Sequence, residues 1–167
     1  LEYYERGGLA VAQLSWAGSG VIPTPPPGAV TVDDADPGFV RGGAAGGWRT
    51  AAEGYNGRLT WTRNNDYARP NYNWARWYPT LVAGRYEVFV YIPDRYTTTS
   101  SAHYWIAHAG GYTERIVDQS ANGDRWVSLG IYQFRGTGDE YVSLNDITGE
   151  TRLSSIIGFD AVRWEPR

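Results

Sequence analysis

Residues Gly84 to Phe134 read GRYEVFVYIPDRYTTTSSAHYWIAHAGGYTERIVDQSANGDRWVSLGIYQF. Four strands follow one another here. Tyr86, Val88, Val90 and Ile92 share one face, and Glu87, Phe89 and Tyr91 share the other. Successive side chains of a strand point to opposite faces, so this alternation marks a half-buried strand. Pro93-Asp94 ends it. Ala102 to His108 is a second run, stopped by Gly110-Gly111. Tyr112 to Asp118 is a third, stopped by Asn122-Gly123-Asp124, and Trp126 to Phe134 is a fourth, interrupted at Gly130. β-Branched and aromatic enrichment and the turn residues between runs agree with the alternation. Tyr104, Ile106 and His108 are expected on the core side, and Trp105 on the outer face.

Shorter runs flank this block. Ala29 to Asp33, Phe39 to Arg41, Trp48 to Glu53, Gly57 to Thr62 and Trp74 to Pro79 precede it. Glu140 to Leu144, Arg152 to Ile157 and Phe159 to Trp164 follow. Most of the 21 Gly and 9 Pro fall between these runs, and no window holds a helical period. The expectation is an all-β sandwich over residues 29–167. Residues 1–16 read as a β-hairpin around Gly7-Gly8, too small to stand alone. Residues 17–28, AGSGVIPTPPPG, read as a Gly/Ser/Pro linker whose prolines favour a semi-rigid polyproline spacer. The chain opens at Leu1 and contains no Met, which reads as a piece of a larger polypeptide.

Composition narrows the function. The 167 residues are 42% hydrophobic, enough for one core. Net charge is −3 without blocks of like charge, which argues against nucleic acid or anionic membrane as partner. There is no Cys, so no disulfide framework or thiolate metal site, and no apolar run of membrane-span length.

No nucleophile elbow, zinc-protease helix, phosphate loop or dinucleotide fingerprint occurs. His103 and His108 lie five apart in one strand, on opposite faces, so they do not build a two-His metal site. His103 is expected exposed and His108 in the core. Asp94, Asp124, Asp139 and Asp146 sit beside turn residues, and turn geometry explains them. Two carboxylates for glycoside cleavage must face each other across a cleft, and nothing in the sequence points to Glu53 and Asp66 as such a pair. The run Asp33, Asp34 and Asp36 reads first as a cap on the first strand and the Asp-Pro-Gly turn after it, and second as hard oxygen ligands for calcium.

The positive signal is residues 61–77. Trp61, Tyr67, Tyr72, Trp74 and Trp77 alternate there with Arg63, Asn64, Asn65, Asp66, Arg69, Asn71, Asn73 and Arg76. A sugar presents an apolar C–H face and a rim of hydroxyls. Aromatic rings stack on the face, and amide, carboxylate and guanidinium groups bond the rim. Trp61, Arg63, Asn65, Tyr67, Tyr72 and Trp74 are the candidate ligand residues, with Trp105 as an outer-face ring. The alternative is that these rings fill the sandwich core.

Several pieces in order resemble the golvesin/xanthan-lyase type of carbohydrate-binding-like domain. They are VDDADPGFV (residues 32–40), Trp48, WARWYPTLVAGRYEVFVYIP (74–93), AHYWIAHAGG (102–111), VDQ (117–119), WVSLGIYQF (126–134) and GFDAVRW (158–164). The resemblance implies a jelly-roll β-sandwich similar to galactose-binding domains, carried by secreted bacterial enzymes and surface proteins. It implies that Trp77 is core, and that Asp33 and Asp160 would hold any structural calcium near the first and last strands. Residues 1–16 resemble the closing strands of a PA14-type domain. The expected function is a non-catalytic extracellular module that binds polysaccharide or cell-wall glycan for a larger bacterial protein. The alternatives are a structural β-module that spaces or assembles domains of a surface protein or fibre, and a polysaccharide-degrading enzyme domain.

Overall fold

The alternating runs form strands in the computed structural model, which describes residues 24–167. In chain order these are β1 (Val30–Val32), β2 (Phe39–Gly42), β3 (Arg49–Ala51), β4 (Leu59–Arg63), β5 (Trp74–Trp77) and β6 (Gly84–Ile92). They continue with β7 (Ala102–His108), β8 (Gly111–Val117), β9 (Arg125–Phe134), β10 (Tyr141–Asn145), β11 (Ile156–Phe159) and β12 (Val162–Pro166). The hairpin proposed for residues 1–16, its PA14-type resemblance and most of the linker lie outside the described residues.

The strands pair antiparallel into three sheets, in the orders β1-β12-β6-β9, β2-β5-β10-β7-β8 and β11-β4-β3. The four strands of Gly84 to Phe134 are divided between the two larger sheets: β6 and β9 join one, β7 and β8 the other. Their apolar faces meet. Val88 and Val90 of β6 pack with Ile106 of β7, Leu144 of β10, Trp77 of β5 and Trp164 of β12 in one cluster. Burying each such side chain stabilises the fold by about 1.5–3 kcal/mol. Trp77 is 1% exposed, as the resemblance implied, and its indole N–H donates to Asp160 O at 2.7 Å.

Gly130 interrupts β9 for a local reason. Val88 pairs with Gly130 but Phe89 pairs with Ser128, so Leu129 is an extra residue in the strand. Gly130 has φ +115°, which side-chain-bearing residues rarely adopt, and the extra residue forms a β-bulge.

Two expectations are corrected. Arg152 to Ser155 is turn, and the strand begins only at Ile156. Leu153 has φ +62°, and Ser154 N–H closes back on Thr151 O, so the apolar residues there do not make an extended run. His108 keeps the core-side parity of Tyr104 and Ile106 but sits at the end of β7, half-buried. Its ring packs on Tyr132 at 4.8 Å, and Nε2 shares a 2.9 Å hydrogen bond with Thr113 Oγ1. Burial lowers its pKa, with Glu140 opposing.

Candidate functional site

Two loops converge over the end of β4. One is the aromatic and polar stretch after Arg63, the other the turn between β10 and β11. Asn64, fully buried, fixes them together. Its Nδ2 donates to Thr148 Oγ1, Glu150 O and Thr151 O, and its Oδ1 accepts from Ser155 N–H at 3.0 Å. Asp146 is the second tie: its Oδ2 accepts from Asn73 N–H at 2.9 Å and Asn65 Nδ2 at 3.0 Å. Asp146 was read as a turn residue, but at 2% exposure it is a buried bracket. Burial pushes its carboxyl up, although the Asn73 and Asn65 donors oppose this. Glu150 closes the far side. Burial raises it, but hydrogen bonds from Ser155, Thr99 and Ser100 outweigh burial and hold it at about 2.

Between these loops lies an open cleft of about 350 Å³. Trp61, Arg63, Asn65 and Tyr72, four of the candidate ligand residues, line it together. The Trp61 ring stacks on Tyr96, with centroids 5.3 Å apart, and its buried indole N–H has no partner. Arg63 Nη1 donates to Leu153 O at 2.9 Å, and Arg152 Nε to Asn65 Oδ1 at 3.4 Å.

The other three candidates lie elsewhere. Tyr67, 58% exposed, carries the Arg69 guanidinium over its ring at 4.1 Å but does not line the cleft. Trp74 belongs to the outer face of the five-stranded sheet, with Arg76 over its ring at 5.1 Å. Strand parity requires this: Trp77 and Ala75 point to the core, so Trp74 and Arg76 point away. Trp105, 39% exposed, lines a second open depression, of about 440 Å³, with His103, Glu114, Asp66 and Asn145. His103 is half-buried, with Nδ1 2.7 Å from Glu114 Oε1. The outer face continues through Tyr141, which packs on Tyr78 and lies beneath Arg76.

Sequence reading missed Arg49, Asp146 and Arg152 of the cleft. Arg49 and Arg152 arrive from other elements, and only the three-dimensional pairing brings them in. Arg69 belongs to the 61–77 stretch but is not among its candidate ligand residues. For catalysis the cleft offers one carboxyl, Asp146. Asp66 is paired with Arg69 at 2.9 Å and Glu53 with Arg95 at 3.0 Å.

The acidic run lies apart from the cleft. Asp33, Asp34 and Asp160 are 3%, 4% and 3% exposed, and one oxygen of each is buried without a partner. Asp160 Oδ2 accepts from Tyr55 N–H at 2.9 Å, while Asp34 Oδ2 takes Thr60 Oγ1 and lies 3.4 Å from Arg58 Nε. Asp33 and Asp160 influence each other's titration, which raises Asp160 and opposes the rise of Asp33. Burial, with Asp33 and Asp34 nearby, pushes Asp160 up to about 9; burial and the Asp34 charge also raise Asp33. Unpartnered carboxylate oxygens are donors a hard cation accepts. Among the described residues, however, no three His, Cys, Asp or Glu side chains gather as a metal-binding group. A cation here would have Asp33 and Asp160 as its acidic ligands.

Residues 30–166 match the Golvesin C-terminal domain family. The chain is 31% identical over 122 residues to xanthan lyase of Bacillus sp. (strain GL1), covering 72% of this chain and 13% of the relative. Its fold matches part of the Paenibacillus xanthan lyase structure with a TM-score of 0.67 at 21% identity, covering 83% of this chain and 13% of that one. The K1 cleaved adhesin domain of Lys-gingipain from Porphyromonas gingivalis W83 gives a TM-score of 0.38 at 18% identity, covering 85% of this chain and 92% of that one. The chain thus spans about one-eighth of the length of the curated relative it matches. Among the described residues no helix is long and apolar enough to cross a membrane.

Proposed function

The chain belongs to the Golvesin C-terminal domain family, and from that premise we propose that it is a non-catalytic, extracellular module holding a longer bacterial protein on a polysaccharide or cell-wall glycan. The observation that carries this is the cleft uniting Trp61 and Tyr72 with Arg63 and Asn65. Rings supply stacking area and the polar groups reach hydroxyls, as a shallow saccharide site needs. A non-catalytic role is supported by the cleft's single carboxyl, since glycoside cleavage uses two facing each other. We infer in addition that Asp33 and Asp160, each with a buried oxygen left without a partner, are where a structural calcium ion would bind.

The test is affinity electrophoresis against a panel of soluble polysaccharides. Retardation by at least one, lost on Trp61→Ala at unchanged thermal stability, is the expected result. No retardation by any would sink the glycan reading. It would favour the second reading, a β-module packed against other domains. The observation behind that reading is the outer sheet face, where Trp105, Tyr112 and Ile116 are all exposed.

A further inference from the structure

We propose that the saccharide taken by the cleft is anionic, a chain bearing uronic-acid carboxylates, with Arg63 and Arg152 as the carboxylate partners. This rests on the glycan reading and narrows its ligand class. The chain as a whole is acidic, with 15 basic against 18 acidic residues. The cleft reverses that balance: Arg49, Arg63, Arg69 and Arg152 line it, against one acidic residue, Asp146.

The arginines differ in how their charge is met. Arg69 is neutralised by Asp66 at 2.9 Å. The other three hold neutral oxygens: Arg49 the carbonyls of Gly46 and Trp48, Arg63 that of Leu153, Arg152 the amide of Asn65. Among the described residues none of these three is in an ion pair. A guanidinium bonded to a neutral oxygen keeps its full charge and free N–H groups. Its planar fork matches a carboxylate in two parallel hydrogen bonds. Asp146 does not cancel the group. It is one carboxyl against three unpaired guanidiniums, and its Oδ2 is already held by Asn73 N–H and Asn65 Nδ2.

Arg63 and Arg152 are the two to weigh. Both are exposed, and both are held at one wall, through Leu153 and Asn65. Trp61 lines the same cleft, so a pyranose against its ring would bring a ring carboxylate near that wall. A neutral sugar would leave the three charges to water; an acidic one replaces that water with charge-assisted bonds.

The experiment is calorimetric titration of the whole 167-residue chain with polygalacturonate, alginate and hyaluronan, each beside its carboxyl-reduced counterpart. At least one acidic polymer should bind roughly tenfold or more tightly than its reduced form, about 1.4 kcal/mol or more. Arg63→Gln with Arg152→Gln should close that gap, weakening the acidic polymer far more than its reduced form. On the unmutated chain, raising NaCl from low to half-molar should close most of the same gap. This second readout does not depend on the variant folding. A reduced polymer that binds as well as its acidic parent, or a gap that survives both salt and the double variant, overturns the anionic assignment and leaves the glycan reading standing. Binding to none of the six polymers overturns both.

Discussion

The molecule gathers charge in two places and treats it in opposite ways. Asp33, Asp34 and Asp160 are carboxylates sealed between strands, each at most 4% exposed. Arg49, Arg63 and Arg152 ring an open cleft and stay in water. Buried like charges cannot all ionise, so the acidic group holds a proton, with Asp160 at about 9. Exposed guanidiniums lose nothing by staying charged, so the basic group remains available to a ligand. The difference separates a group whose state governs stability from one whose charge governs binding, and each can be perturbed while the other is watched.

The largest expected effect is at the hinge of the cleft. Asn64→Ala removes the side chain that ties Thr148, Glu150, Thr151 and Ser155 to β4. It leaves buried groups without partners, and a loss of about 2–4 kcal/mol should appear as a lower denaturant midpoint. The β10–β11 turn should lose hydrogen-exchange protection first. An unchanged midpoint would mean that Asn64 does not hold the cleft wall.

Next is the acidic group. Asp160 binds its proton more tightly folded than unfolded, so its contribution is fully present below the unfolded carboxylate range near 4. It is lost as pH rises through about 9. Thermal stability should therefore fall between pH 5 and 9, and Asp160→Asn should flatten the fall. A wild-type profile as flat as the variant's would show that Asp160 is not raised by its burial. Calcium should raise the melting temperature of the wild-type chain at pH 8 by several degrees and leave Asp160→Asn unmoved. A response that persists in the variant would place the ion elsewhere.

Smaller effects follow at Glu150 and Trp105. Glu150 is held at about 2, so its contribution is present above the ordinary glutamate range and lost as pH falls towards 2. Glu150→Gln should lower stability near pH 9, where the charged carboxylate contributes in full, and should reduce the further loss below pH 4, as paired melts at both pH values would show. Trp105→Ala should change glycan affinity by less than about twofold, a shift within the range of near-neutral contacts. A larger loss would move the binding surface to the outer face of the five-stranded sheet.

The strands were legible in the sequence because their alternation is local. Ala102 to His108 came out to the residue, and Gly130 showed in advance where β9 bulges. Sheet partnership was not legible: nothing in Gly84 to Phe134 says that β6 pairs with β12 while β7 pairs with β10. The cleft divides the same way. Trp61, Arg63, Asn65 and Tyr72 come from one short stretch, so composition found them. Asp146 and Arg152 reach Asn65 across 81 and 87 residues of chain. Arg152 was further hidden because Leu153 and Ile156 suggested a strand that the positive φ of Leu153 prevents. Composition alone grouped Trp74 with the cleft rings, whereas the parity that buries Trp77 sets Trp74 on the opposite face of the sheet.

Saccharide binding at the Trp61 cleft stands or falls on affinity electrophoresis of the wild-type chain and Trp61→Ala against the polysaccharide panel. The expected result is retardation of the wild-type chain by at least one polymer, weakened roughly tenfold or more by the substitution at equal thermal stability. Equal retardation of the two proteins, or none of either, would contradict it.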